Sequence, residues 1–343
     1  MNHENNKTIQ NTGFIQQSSS GQMSNSDRAT SQYNKSSGTI RYFSMFTGVG
    51  GFELGIESAN NDKFNTESQN NNERIESDTS TSDGERRRTC SDGFECIGFS
   101  EIDKYANQLL AKRFPNIPNF GDCTKIEADK LPDFDMLCGG FPCQSFSIAG
   151  KRRGFQDTRG TMFFHIARIL EVKRPKIVWL ENVKGLLNHD KGETFRVIIQ
   201  TLSELGYDVQ WMVLNSKFFG VPQNRERVFI IGSSRGTSRP EILPFREVTG
   251  ENMQINQMNN PSHSYYRLFN PTGIAPAFRS SNGNKVAKIA EPSMKVRRLT
   301  PTECERLQGF PDGWTEGFSD TQRYKMMGNA VTVNVIKAIA ERL

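Results

Sequence analysis

A thiol, a carboxylate and two guanidiniums stand at or near the ends of β-type runs in this chain. Together they supply what is needed to attack and hold an electron-poor ring. The thiol is Cys143, in the run Gly139-Gly140-Phe141-Pro142-Cys143-Gln144-Ser145-Phe146-Ser147, just after a short apolar segment. Pro142 restricts Phe141 to an extended conformation and so defines the exit from that strand. Most lone cysteines are inert core residues, and Cys138, inside the strand, is read as one. Cys143 is different, because its turn is neither apolar nor periodic. Lys151, Arg152 and Arg153 nearby favour a thiolate, unless they form a merely solvated basic loop. The carboxylate is Glu181, where the apolar run Ile177-Val178-Trp179-Leu180 ends; it could equally be a helix N-terminal acid, with Asn182 as cap. Gln223, Arg225 and Arg227 precede or begin another apolar run. Alternation places all three on one face, whether that face is a site or an exposed sheet edge.

Phe46-Thr47-Gly48-Val49-Gly50-Gly51 joins the first apolar strand to a helix. Glycines allow a sharp turn and close approach of a ligand. The spacing is F-x-G-x-G-G, which is not the dinucleotide pattern, and no Walker lysine follows. Glu101 ends the next strand, where a carboxylate can accept ribose hydroxyls. Asp122 ends the extended piece after it and could take an exocyclic amine. The three together suggest an adenosine-containing cofactor without a pyrophosphate; a plain tight turn with exposed acids is the alternative.

These groups need strands to position them, and the chain supplies strands and helices in alternation. Strands are predicted at 40–46, 95–100, 134–138, 177–180, 209–214 and 228–231. Helices are predicted from Gly51, at 104–114, 160–173 and 194–205. Such alternation predicts an α/β fold with a mostly parallel, doubly wound sheet, whose ligands bind at the carboxyl ends of the strands. After Gly232 the pattern breaks into Pro, Asn, Gly and Ser with scattered basic residues. Helical signal returns with Thr300 as N-cap, Pro301 at the first position and Glu303 three residues on, and again from Asn334 to Leu343. The expected domains are a disordered polar tail at 1–39 and a catalytic, cofactor-binding domain at 40–234. The latter is interrupted by a polar insertion at 58–91. A small irregular recognition domain follows at 235–321, and a segment at 322–343 returns to the catalytic domain.

The bulk numbers agree. The 343 residues suffice for one large or two modest domains. The 35% hydrophobic content is low because of the two polar stretches. A net charge of +5 suits a polyanionic partner without requiring one. No apolar run is long enough for a membrane span and no secretory leader is expected. The 6 cysteines form no CxxC pair, which points to free thiols in a cytoplasmic setting. The 4 histidines have no metal-ligand spacing with them, so no metal is expected.

In order along the chain stand FTGVGG, SEID, GDCTKI, GGFPCQSFSIAG, RGTMFFHIARIL, WLENVKGLL, FGVPQNRERVFIIG, RRLTPTECERLQGFP and MMGNAVTVNVI. In these motifs the chain closely resembles the DNA (cytosine-5) methyltransferases, over about residues 40–343 apart from the insertion. The resemblance implies a Rossmann-like methyltransferase domain with a target-recognition domain, and S-adenosylmethionine as cofactor. Cys143 matches the nucleophile that adds to cytosine C6. Glu181 matches the residue that hydrogen-bonds or protonates N3. Arg227 matches the arginine at O2, and Arg225 its companion near the nucleophile loop and phosphate. Phe46, Gly48, Gly50, Gly51, Glu101, Ile102, Asp122, Pro142, Met162, Asn329 and Val331 match cofactor contacts. The implied partner is double-stranded DNA with its target base flipped out, contacted by Gln223, Ser147, Lys151, Arg152, Arg267 and Arg279. Arg279 would read guanine or hold a phosphate. A monomer working beside a separate cognate restriction endonuclease is implied as well. Ser44 stands where many members carry an acid, a departure expected to matter little. Methylation of tRNA, or an inactive DNA binder, are the competing functions.

Overall fold

The computed structural model describes residues 12–14, 38–62, 93–142, 162–237, 242–245, 268–269, 274–277, 288–290 and 296–343. At its centre is a seven-stranded sheet. The strands are β1 (Thr12–Phe14), β2 (Ile40–Met45), β3 (Phe94–Ser100), β4 (Met136–Gly140), β5 (Ile177–Val183), β6 (Tyr207–Asn215) and β8 (Glu226–Ser234). Their order is β1-β6-β8-β5-β4-β2-β3. β2, β3, β4 and β5 pair in parallel, while β8 runs against both β5 and β6. β1 adds an antiparallel edge strand from within the tail expected to be disordered.

The interior strands are nearly continuous apolar runs because both faces are covered. Alternation sends Leu137, Val178 and Leu180 into one core, with Phe163, Ile166 and Ile169 of α3 (Met162–Lys173) and Ile198 and Leu202 of α4 (Glu193–Glu204). It sends Cys138 and Trp179 into the other, with Phe52 and Ile56 of α1 (residues 51–62) and Ile336 and Ile339 of α7 (Val333–Ala340). The C-terminal helix thus lies on the first strands.

α2 (Lys104–Arg113) is specified locally: the Asp103 side chain accepts from the amides of Tyr105 and Ala106, and Lys112 and Arg113 occupy the last turn. α5 (Pro301–Leu307) carries the expected capping box, Thr300 and Glu303 each bonding the other's backbone amide. α6 (Asp320–Asn329) was not expected from sequence.

Two expected boundaries move. Residues 58–62, read as the start of a polar insertion, are the last turn of α1. Ala59 is buried there, and the Asn60 amide exchanges two 3.0 Å hydrogen bonds with the backbone of Phe94. The chain from Leu299 onward, ahead of the expected return at 322, already shares a core with the first helices: Leu299, Cys304, Leu307, Phe310 and Trp314 bury in one cluster with Val49 and Leu109. Between Ser234 and Leu299 the described elements are short strands. β9 (Leu268–Phe269), β11 (Lys288–Ala290) and β12 (Val296–Arg298) form a three-stranded sheet, and β10 (Ala275–Pro276) pairs with β7 (Gln223–Asn224).

The topology determines where a ligand goes. From β2 the chain steps to β3 on one side, then crosses back to β4 on the other. The crevice outside the carboxyl ends of β2 and β4 is therefore the binding site for a sheet of this class.

Candidate active site and cofactor cavity

A cleft of about 450 Å³ opens at that crevice, with Phe46, Glu101, Pro142, Glu181, Arg227 and Asn329 among its lining. Its first wall is the glycine turn. Phe46 leaves β2 with φ 56°, a left-handed conformation that costs a non-glycine residue about 1–2 kcal/mol. Gly48 follows with φ 60°, and its missing side chain leaves open space beside the cleft. Gly51 must lack a side chain, since a Cβ there would stand 2.7 Å from Cγ1 of Val331.

The Glu101 carboxylate is held by backbone. Its Oε2 accepts from the Gly48 amide at 2.7 Å, and its Oε1 from the amides of Ile102 and Asp103 at 2.8 and 2.7 Å. A carboxylate offers about four acceptor sites, so capacity remains for a hydroxyl in the cleft. A held carboxylate beside a side-chain-free turn suits a ribose, and the residues present fit the nucleoside end of S-adenosylmethionine. Ile102 is 71% exposed at the end of β3, an unusual position for a large apolar side chain. Asp122 receives the Thr124 amide and hydroxyl on Oδ1, which hold its carboxyl below the usual range. Met162 lies 3.9 Å, sulfur to sulfur, from Cys123. Of the residues expected to contact a cofactor, Gly50, Gly51, Ile102, Asp122, Met162 and Val331 stand outside the set that lines the cleft, Gly51 and Val331 packing behind it.

The second wall comes from β4, β5 and β8. Because β8 runs antiparallel to β5, Val183 faces Arg227 and Glu181 faces Phe229. Glu181 and Arg227 are therefore diagonal neighbours on one face, joined at 2.9 Å from Nε to Oε1 with side chains 12% and 17% exposed. Glu181 is a strand residue, not a helix cap. Asn182 does not cap a helix either: its Nδ2 donates to the Phe141 carbonyl at 2.8 Å and fixes the exit from β4. Pro142 is the last described residue of that exit.

Arg225 lines the cleft beside Glu181 and Arg227, whereas Gln223 does not. Arg225 is 2% exposed, and its Nη2 donates to the carbonyls of Gly328 and Ala330 at 3.2 and 2.7 Å. Gln223, expected to touch DNA, is fully buried where β7 pairs with β10, and neither amide atom has a hydrogen-bond partner. Alternation along a strand carries no information about what covers a side chain.

Sequence reasoning missed Gly140, Asp103, Gln322, Lys325 and Met326, all of which line the cleft. Lys325 of α6 reaches Asp103 at 2.7 Å and closes the mouth beside Glu101. Cys143, Ser147, Lys151, Arg152, Arg267 and Arg279 lie outside the described residues. Among the described residues no group of His, Cys, Asp or Glu could hold a metal ion, and no helix is long and apolar enough to cross a membrane.

Comparison with known proteins accords with this geometry. The family model of the C-5 cytosine-specific DNA methylases matches residues 40–263 and 245–343. The Type II methyltransferase M.HhaI of Haemophilus parahaemolyticus is 33% identical over 338 residues, covering 88% of this chain and 93% of that one. The orphan methyltransferase M.SPRI of Bacillus phage SPR is 46% identical, covering 89% of this chain and 98% of its own. The S. pombe Dnmt2 methyltransferase structure superposes with a TM-score of 0.64 at 16% identity, covering 88% of this chain and 97% of that one, a likeness of fold. With the family model matched along nearly all of residues 40–343, the chain belongs to the C-5 cytosine-specific DNA methylases.

Proposed function

We propose that the protein transfers a methyl group to C5 of a cytosine flipped out of duplex DNA, through transient attachment of Cys143 to C6. The observation that carries this is the Glu181–Arg227 pair at the mouth of β4, in one cleft with the Glu101 carboxylate. A ring-recognising acid and a ribose-binding acid then serve the same reaction.

Cytosine C5 is a poor nucleophile until C6 carries an electron donor. Cys143 follows Pro142 directly, so its Cα lies within about 3.8 Å of the Pro142 Cα at the edge of the cleft. As the thiolate adds to C6, electron density moves toward N3, where Glu181 hydrogen-bonds or protonates the ring. Arg227 orients Glu181 and donates to O2. Phe46, Gly48, Gly50, Gly51, Glu101, Pro142, Asn329 and Val331 hold S-adenosylmethionine, with Ile102, Asp122 and Met162 around the adenine. When bound, it supplies the electrophilic methyl group. Loss of the C5 proton then expels the thiolate and restores the aromatic ring. Double-stranded DNA is the substrate, contacted by Ser147, Lys151, Arg152, Arg267 and Arg279. The Type II relatives support a restriction-modification role, and the proposal adds that the protein acts as a monomer beside a separate endonuclease.

Labelled S-adenosylmethionine with matched DNA and tRNA tests the substrate, and bisulfite sequencing of DNA from expressing cells gives the site. A duplex carrying 5-fluorocytosine should trap the wild type covalently but not Cys143→Ser, which should still bind DNA and cofactor. Unchanged turnover in that variant, or methyl groups on an exocyclic nitrogen, would refute the proposal.

A further inference from the structure

We propose that Arg225 is a positioning residue of the cofactor wall: its guanidinium sets the turn Gly328–Val331 so that Asn329 faces the cleft. This rests on the cleft being the S-adenosylmethionine site.

The turn follows the end of α6, where the last carbonyls have no partner within the helix. Arg225 enters from the start of β8 and donates to two of the carbonyls at this end, those of Gly328 and Ala330. A cation at a helix C-terminus is favoured by the helix dipole, and Nη2, at the far end of the longer arginine side chain, has one hydrogen for each of the two carbonyls. Gln308 holds the same turn as well. Its Nε2 donates to the Met327 carbonyl at 2.9 Å and to that of Ala330 at 3.5 Å, while its Oε1 accepts from the Thr332 hydroxyl at 2.8 Å. With Gly328 and Ala330 buried and held, Asn329 between them is turned outward and lines the cleft. Val331 is then pressed against the side-chain-free Gly51 of the glycine turn. Both cofactor walls are thereby referenced to one buried cation. Burial pushes Arg225 down to about 9, the neighbouring Arg227 adding to this and Glu181 opposing it, which leaves the group charged at neutral pH.

The test separates cofactor from DNA binding. Calorimetry with S-adenosylmethionine alone and anisotropy with a labelled duplex would be run on wild type, Arg225→Lys and Gln308→Leu. Both variants should weaken cofactor binding about tenfold, the order expected for losing a hydrogen bond to a charged or buried partner. DNA affinity should stay within about twofold, and kcat at saturating cofactor within about threefold, so that the loss falls on KM. Unchanged cofactor affinity in a folded Arg225→Lys, with DNA binding or covalent trapping lost, would overturn the inference. If Arg225→Lys does not fold, Gln308→Leu decides, since Gln308 grips the same turn from outside the Glu181–Arg227 pair; cofactor affinity unchanged there overturns the inference too. A wild type that binds no S-adenosylmethionine would defeat the proposed function instead.

Discussion

Gly140 and Glu181 face each other across β4 and β5 so closely that a Cβ on Gly140 would lie 2.8 Å from Oε2 of Glu181. The absent side chain is what lets the carboxylate stand at the strand end within reach of Arg227. Gly140→Ala should displace Glu181 and lower kcat by about ten- to a hundredfold, since a misplacement of about 1 Å is costly in catalysis. Thermal melts and cofactor titration should change little. Wild-type turnover in this variant would mean that the Glu181 position is not critical.

Glu101→Gln keeps the shape of a side chain whose two oxygens accept three backbone amides. One acceptor becomes a donor, so the turn is loosened and a hydroxyl partner lost. The KM for S-adenosylmethionine should rise about tenfold or more while kcat at saturation falls far less, because the contact is made equally in the ground state and the transition state.

Glu53 is buried on α1 with neither carboxyl oxygen hydrogen-bonded, among Tyr42, Cys96 and Cys138. Burial pushes its carboxyl up to about 7; the Ser44 hydroxyl opposes this without forming a full hydrogen bond. The folded chain therefore holds a proton that the unfolded chain has released above about pH 4.5, and stability falls as pH rises from there to 7. Glu53→Gln should be more stable than wild type at pH 8, by an amount on the order of 1–3 kcal/mol, with most of the advantage gone at pH 5. Thermal melts across that range check it.

Glu303 shows the opposite sign. Arg297 and the Thr300 amide hold its carboxyl down to about 2. Its contribution is complete above the ordinary value of 4.5 and is lost as pH falls toward 2. Glu303→Ala should lower the melting temperature at pH 7, by loss of the capping box and the tie to β12, and lower it less at pH 3.5.

Much of the catalytic domain was legible because its signals are local. Thr300, Pro301 and Glu303 mark a helix start by themselves, and the apolar runs of β2, β4, β5 and β8 are short and well bounded. Helix α6 was not legible: Tyr324, Met327 and Gly328 repeat at i, i+3 and i+4 but make too short and weakly apolar a stripe among polar neighbours, and its stability comes from the core shared with Leu299 and Trp314. The meeting of Glu181 with Arg227 depends on the reversed direction of β8, which residue types do not encode. Buried Glu305 was unreadable too. It accepts from the amides of Gly313 and Thr315 and from Arg323, a role visible once the turn is closed. The Ser44 departure, expected to be without consequence, places a hydroxyl against the buried carboxyl of Glu53.

The strands that open the fold are covered by the helix that ends it, and the cleft is finished by Gly328 and Asn329. A chain emerging from the ribosome N-terminus first therefore carries Cys143 and Glu181 long before the cleft beside them is complete. Partly made protein, and protein shortened from the C-terminus, should be silent toward DNA, so modification of the genome waits for complete synthesis.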